Sequence, residues 1–333
     1  MFYEAWDIMK STAIAPSNIA FIKYWGKKDE KLRLPENGSI SMNLSNLLTT
    51  TTVEFSDKFK ADSLIYNGIS ENIEGNRAIA HIDQIRKMAK SNLCAKIVTK
   101  NNFPSGTGLS SSASGFAALT MATVAALGLR LSEKELSILA RQGSGSACRS
   151  IPNGFVEWLD GDTSETSFAK SIFPKDHWDI RDVVAVVSTD KKEVATTEGQ
   201  KGAKGSQFFG VRKELMSKKI KDCKKFLKEK DFENLGELIE SEALELHAIM
   251  LTSHPSLIYL LPETLRIMRL VKSWRSGGLP VYFTLNTGQN IHLIVEGKNA
   301  AEVVKKLKEL PNILEIIENK ASDGARLTSS HLF

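Results

Sequence analysis

The sequence predicts an α+β protein whose two lobes face one another across a cleft. Three observations carry that expectation. A chain of 333 residues, 42% hydrophobic and 25% charged, is long enough for two cores. Its N-terminal part is built from period-two segments that feed a Gly/Ser-rich loop and an Ala/Leu-rich helix. Its C-terminal part sets charged helical stretches beside two short apolar strands. The division is placed after residue 188, giving an N-terminal lobe of 1–188 and a C-terminal lobe of 189–333.

Taken in order, residues 12–25 read as a strand broken by Pro16 and then a second strand or edge. Lys23, Tyr24, Lys27 and Lys28 make that segment cationic and aromatic at once. It is either a face turned to a ligand or an amphipathic strand with solvated lysines. Leu34-Pro35 and Asn37-Gly38 mark a turn, after which 39–44 and 50–55 alternate as two strands. Tyr66-Asn67-Gly68 is a hairpin turn. Residues 75–90 form an amphipathic helix with Ile79, Ile82, Ile85 and Met88 on its stripe, and 95–99 form a strand.

That strand enters Phe103-Pro-Ser-Gly-Thr-Gly-Leu-Ser-Ser-Ser-Ala-Ser-Gly115, which runs straight into the apolar helix 116–127. Glycines let a backbone approach an anion closely, and the first turn of a helix offers unpaired N–H groups at the positive end of its dipole. The loop therefore reads as a phosphate site, with Ser105, Gly106, Gly108, Ser110, Ser111 and Ser112 as its candidate contacts; it is not a Walker A motif, which occurs nowhere in the chain. Ser132-Glu-Lys-Glu135 opens a capped helix to about Arg141. A second small-residue segment follows, Gln142-Gly-Ser-Gly-Ser-Ala-Cys-Arg-Ser150, then the turn 152–154 and the apolar 155–158. Ser144, Ser146 and the permanently charged fork of Arg149 suit a second anion, unless Arg149 is a surface arginine on a helix-start loop.

Residues 182–188 form a buried strand, followed by a polar loop holding Lys191, Lys192, Thr196 and Thr197. From 203 to 250 the pattern is helical, with a break near Asp231 and a solvated basic face at Lys218, Lys219, Lys221, Lys224 and Lys225. A helix over 261–276 ends at Gly277-Gly278-Leu-Pro280. Strands 281–285 and 291–295 flank Asn286-Thr-Gly-Gln-Asn290, a loop whose polar tip can face the cleft. A helix over 300–310 and a strand over 313–317 complete the lobe.

The composition also argues against several classes of function. A net charge of +5, with bases scattered among acids, gives no nucleic-acid surface. Cys94, Cys148 and Cys223 stand far apart without a Cys-x-x-Cys, which points to a reducing compartment and against zinc. The start of the chain lacks a secretory pattern and no apolar run approaches a membrane span, so the expectation is a cytoplasmic protein without a membrane partner.

Four stretches together resemble a known family: Ala15-Pro-Ser-Asn-Ile-Ala-Phe-Ile-Lys-Tyr-Trp-Gly-Lys27 with Leu34-Pro35, Asn37, Ser39 and Ser41; the loop 103–115; Gly143–Ser150 with Gly154–Trp158; and Phe283–Asn290. The chain resembles the GHMP kinase superfamily and, within it, the mevalonate diphosphate decarboxylases, over nearly its whole length. The resemblance implies the GHMP kinase-like fold, a ribosomal-protein-S5-like N-terminal lobe and a ferredoxin-like C-terminal lobe with the active site between them. It implies ATP and Mg²⁺, the metal carried on the ATP phosphates with Ser111 a candidate ligand, and a homodimer. The implied reaction is ATP-dependent decarboxylation of 5-diphosphomevalonate to isopentenyl diphosphate, through phosphorylation of the 3-hydroxyl, in the mevalonate pathway of isoprenoid synthesis.

By position, the resemblance assigns the loop 105–112 to ATP. It assigns Tyr24, Lys23, Lys27, Ser144, Ser146, Arg149, Thr196 and Thr197 to the substrate, with Lys23 and Arg149 also catalytic. Two departures stand out. Asn286 occupies the place of the family's catalytic aspartate, and an amide orients a hydroxyl but takes no proton from it. Thr197 stands where diphosphate-using members place an arginine, and Lys28 likewise replaces a frequent arginine. Phosphomevalonate and mevalonate 3,5-bisphosphate thus remain alternative substrates, and a small-molecule kinase or a catalytically silent form alternative classes.

Overall fold

Two β-sheets organise the chain, one of eight strands and one of four, in a computed structural model that describes residues 9–333. The N-terminal heptapeptide considered for secretion lies outside the described residues. Strand β1, Met9–Ile22, is continuous, not broken at Pro16. Its register against β4 shifts between Pro16 and Asn18, and a bulge is where a strand tolerates a residue that cannot donate to the ladder. The short β2 (Lys27–Asp29) and β3 (Leu34–Pro35) form a separate ribbon. Strand β4, Ser39–Ser56, unites the two stretches expected as separate strands, because the same irregularity lets it follow β1 along its length.

A hairpin of β5 (Ser63–Tyr66) and β6 (Ile69–Ser70) turns through Asn67 and Gly68, both at positive φ, as an Asn-Gly turn requires. Helix α1, Arg77–Met88, is capped by the Asn76 side chain and buries Ile82 and Ile85, while the expected stripe residue Met88 is exposed. Strand β7, Cys94–Asn101, pairs with β4 and leads to α2, Ser111–Ala126, whose Ala-rich surface lets it lie close against β1 and β4. Helix α3, Glu133–Gly143, starts with the expected capping box between Ser132 and Glu135. A single 3₁₀ turn, Gly145–Ser150, then leads to β8 (Phe155–Trp158) and β9 (Ala169–Phe173) on the same sheet.

Strand β10, Ile180–Val186, lies inside the four-stranded sheet. The chain thus enters the second sheet ahead of residue 188. The single-turn α4 (Thr196–Gly199) precedes the long helices α5 (Phe209–Glu229) and α6 (Phe232–Thr252), split where Asp231 caps α6. Of the basic face on α5, Lys218, Lys221 and Lys225 are exposed, whereas Lys219 is tucked against Glu242 and Glu245. After α7 (Pro262–Ser276) come β11 (Val281–Thr284), β12 (Ile291–Glu296), α8 (Gly297–Lys308) and β13 (Glu315–Lys320), in the sheet order β11-β12-β10-β13. Strand β14, Arg326–Thr328, returns to pair with β1. One apolar cluster, running from Ile19 and Phe21 through Val184 to Leu235 and Ile294, joins the two sheets behind the cleft.

Candidate active site

The phosphate-type loop is shaped by backbone. Gly106 and Gly108 adopt φ of 77° and 95°, and Ser110 stands in the left-handed region at 56° ahead of α2. No side chain caps α2; among its first N–H groups that of Ala113 bonds Ser110 O at 2.8 Å. A Cβ placed on Gly108 would lie 2.7 Å from the Cα of Gly288, in the loop between β11 and β12. The two loops meet backbone to backbone, and only glycine permits it.

Between them lies a cavity of about 230 Å³. The N-terminal lobe sends into it Lys23 and Tyr24 from the end of β1, Lys27 from β2, and Gly106, Gly108, Ser110, Ser111 and Ser112 from the loop. Ser144, Ser146 and Arg149 enter beside the 3₁₀ turn; Thr196, Thr197 and Asn286 come from across the cleft. The structure thus brings together every residue singled out in the sequence except Ser105. Ser105 bonds the Tyr66 hydroxyl and accepts from Asn101 Nδ2 at 3.0 Å, pinning the loop to β7.

Arg149 is buried, which removes the surface-arginine alternative. Its guanidinium donates to Ser39 Oγ at 2.7 Å, Ser41 Oγ at 3.1 Å and Asn18 Oδ1 at 3.1 Å. All three partners are neutral, so its positive charge is uncompensated by any carboxylate in contact. Tyr24 packs edge-on against Trp158, and burial holds its hydroxyl protonated by pushing its pKa up. Ser144 Oγ donates to Ser112 Oγ at 3.4 Å, linking the two small-residue segments.

Three basic residues of the lining carried no motif: Arg33, Arg77 and Lys192. Arg77 Nη2 donates to Gly143 O at 2.9 Å and its Nη1 reaches Thr197 Oγ1 at 3.4 Å. One local signal marked it, a cation at the first position of a helix, where the dipole disfavours positive charge. Arg33, at φ 51°, is tied by its Nε to Gln142 O at 2.9 Å. Lys192 donates to Thr196 Oγ1 and Thr287 O, both at 2.6 Å, and to Thr287 Oγ1 at 3.2 Å, while its own N–H bonds Gly106 O. Burial lowers its pKa to about 8. With Lys23, Lys27 and Arg149, the lining holds six basic side chains and, among the described residues, no carboxylate.

Asn286 is integrated as an amide. Its Nδ2 donates to Ser110 Oγ at 2.9 Å and to Asn18 O at 3.4 Å, and its main-chain carbonyl accepts from His247 Nε2 at 3.2 Å. A carboxylate could not donate to Asn18 O. Burial lowers the His247 pKa to about 4, leaving the imidazole neutral. An adjoining, mostly apolar pocket is lined by Leu64, Ile97, Phe116 and Leu119 and shares Arg77, Ser111 and Ser112 with the first. No group of three or more His, Cys, Asp or Glu able to hold a metal occurs among the described residues, and the candidate ligand Ser111 lies in the cavity lining. No described helix is long and apolar enough to cross a membrane.

Comparison with known proteins gives the same outline. Residues 15–169 match the family model for the diphosphomevalonate decarboxylase-like N-terminal domain, and 182–330 that for the mevalonate 5-diphosphate decarboxylase C-terminal domain. The diphosphomevalonate decarboxylase of Debaryomyces hansenii is 37% identical over 318 residues, covering 89% of this chain and 82% of the relative. Mevalonate diphosphate decarboxylase from Staphylococcus aureus superposes with a TM-score of 0.90 at 37% identity, over 97% of this chain and 98% of that one. A structure described as MDDEF in complex with MVAPP, AMPPCP and magnesium gives 0.90 at 36% identity, over 97% and 100%.

Proposed function

The chain belongs to the diphosphomevalonate decarboxylase family, and from that premise we propose that it converts 5-diphosphomevalonate to isopentenyl diphosphate with ATP, by way of the 3-phosphorylated substrate. The observation that carries this reading is the six-cation cavity between a glycine backbone cradle and a buried arginine, a site made for two polyanions at once.

The uncapped start of α2 and the loop Gly106–Ser112 suit the ATP phosphates, with Lys192 beside them, and the adjoining apolar pocket suits the nucleoside. Magnesium, when bound with ATP, neutralises phosphate charge. Arg149, Ser144, Ser146, Tyr24 and Lys27 hold the substrate's carboxylate and 5-diphosphate. Phosphoryl transfer needs chiefly alignment and charge neutralisation, which these cations provide. Arg77 bears on the choice of substrate: it supplies, next to Thr197, the guanidinium that the sequence lacks at 197, and with Arg33 in the same lining this favours the 5-diphosphate over the 5-monophosphate. Across the cleft, the segment beyond residue 188 contributes Lys192, Thr196, Thr197 and Asn286. Cytoplasmic residence and a homodimer belong to the same proposal. The first is supported by three free cysteines; the second by Phe208, Val211 and Leu215, exposed along one side of α5.

The test is carbon dioxide release with ATP and magnesium from 5-diphosphomevalonate and from 5-phosphomevalonate. The diphosphate should be turned over faster, and Arg77→Met should narrow that preference. ADP formation without carbon dioxide would replace this reading with a kinase.

A further inference from the structure

Each phosphorylation of a hydroxyl releases one proton, yet the cavity lining contains neither carboxylate nor imidazole among the described residues. Building on the decarboxylase reading, we propose that the neutral ε-amine of Lys23 is the group that takes the proton from the substrate's 3-hydroxyl.

The bonding around each candidate singles it out. Lys23 Nζ donates to two acceptors, Ala20 O at 2.6 Å and Thr284 Oγ1 at 2.7 Å. An amine that donates both of its protons to these acceptors keeps its lone pair. Lys192 Nζ meets three acceptors, the complement of an ammonium. Lys27 Nζ is committed to the Glu30 carboxylate at 2.6 Å. The Tyr24 hydroxyl is kept protonated by burial, arginine does not release its proton, and the Asn286 amide accepts none. Lys23 is also 1% exposed and lines the cavity two residues' reach from Asn286, through Thr284 on the same strand end.

The surrounding charges keep the amine neutral near physiological pH. Burial is the largest influence, Glu242 opposes it, and Arg149 and Arg212 reinforce it, with Asp182 opposing weakly; the pKa falls to about 7. Glu242 on α6 is committed elsewhere: it binds Arg212 of α5 at 2.8 Å and Lys219 at 2.9 Å and accepts the main-chain N–H of Lys23. Asp182 on β10 is engaged by His292 of β12, and His247 of α6 is neutral.

In the step, the hydroxyl proton passes to the Nζ lone pair while the O–H electron pair forms the bond to the terminal phosphorus of ATP. ADP departs with the electrons of the broken P–O bond. The new ammonium then lies beside the 3-phosphate and returns its proton as that phosphate leaves with the C–O pair. The bond to the carboxylate breaks at the same stage, its electrons forming the alkene and releasing carbon dioxide.

Because only the free amine accepts a proton, kcat/KM, which reports the unliganded enzyme, should rise with pH through about 7, the value to which burial brings this lysine. Asn286→Asp places a carboxylate in the cavity, so its rate limb should move to distinctly lower pH. Lys23→Arg keeps a cation but no acceptor; it should lower kcat by about 10²-fold or more, the usual weight of a general base, with little change in substrate KM. In the Asn286→Asp background the same replacement should cost much less. The Lys23 Cε resonance of the unliganded protein, assigned by its loss in Lys23→Arg, should titrate near 7. A resonance titrating near 10, a rate flat from pH 5.5 to 9, or a folded Lys23→Arg enzyme with more than a tenth of the activity would each overturn the proposal. If ADP forms with this pH and Lys23 dependence but no carbon dioxide appears, the decarboxylase reading fails and the assignment of Lys23 stands.

Discussion

The loop Pro104–Ser110 reaches the cavity with its backbone, whereas the turn Gly145–Ser150 reaches it with one guanidinium. In the first, positive φ at Gly106 and Gly108 and an uncapped helix start turn toward the cavity groups every residue possesses, which suits the proposed ATP phosphates. Its side chains matter less than the absence of Cβ atoms. In the second, Arg149 is buried and held by Ser39 and Ser41 from β4 and Asn18 from β1. A backbone site depends on local geometry and tolerates solvent; a buried cation depends on remote partners and acts in a medium where charge is strongly felt. The difference teaches where each should be fragile.

The largest effect should come from the buried cation. Arg149→Met is expected to lower kcat/KM for carbon dioxide release by about 10²-fold or more, about 2.7 kcal/mol of lost transition-state stabilisation. Arg149→Lys should recover little, since one ammonium cannot serve three partners set around a planar fork. Steady-state kinetics on both variants decides the point, and a near-normal Arg149→Lys enzyme would mean that charge alone matters there. On the backbone side, Gly108→Ala sets a Cβ 2.7 Å from Gly288 at a φ of 95°. That strain is of order 1–3 kcal/mol, and should appear in calorimetry as roughly tenfold weaker binding of a non-hydrolysable ATP analogue. Substrate affinity should move less. The smallest effect is expected at Thr197→Arg, which adds a guanidinium near Arg77 at the cavity's partly open side. The gain in 5-diphosphate affinity should be no more than about fivefold, since the new charge is screened and repelled by its neighbour. A larger gain would show the diphosphate to be under-neutralised in the natural protein.

Much of the site was legible because its parts are contiguous. The run from Gly106 to Ser112, the Ser144–Arg149 cluster and the Lys23-Tyr24 pair each carry their chemistry in a few neighbouring residues, and all of them line the cavity. An isolated arginine in a turn, as at Arg33, has no pattern around it, and Arg77 carries only the weak signal of a cation at a helix start. Ser105 was grouped with the loop by adjacency, yet its hydroxyl is spent on Tyr66 and Asn101. Proline ends most ladders and so predicts a break at Pro16; the bulge that accommodates it depends on β4, which no local window contains.

The sequence by itself determined the elements whose causes are short-range: the Ser132 capping box, the Asn67-Gly68 turn, the break at Asp231, and the glycines that open the phosphate loop. Caps, turns and φ preferences act over three or four residues, so they are written where they operate. Tertiary structure alone decided that Arg149 is buried among hydroxyls and the Asn18 amide, that Gly108 meets Gly288, and that the Lys23 ε-amine bonds Thr284, 261 positions away, rather than a carboxylate. Burial and charge pairing depend on what the rest of the chain brings alongside. The protonation of a lysine is therefore a property of the folded cavity and not of the motif that contains it.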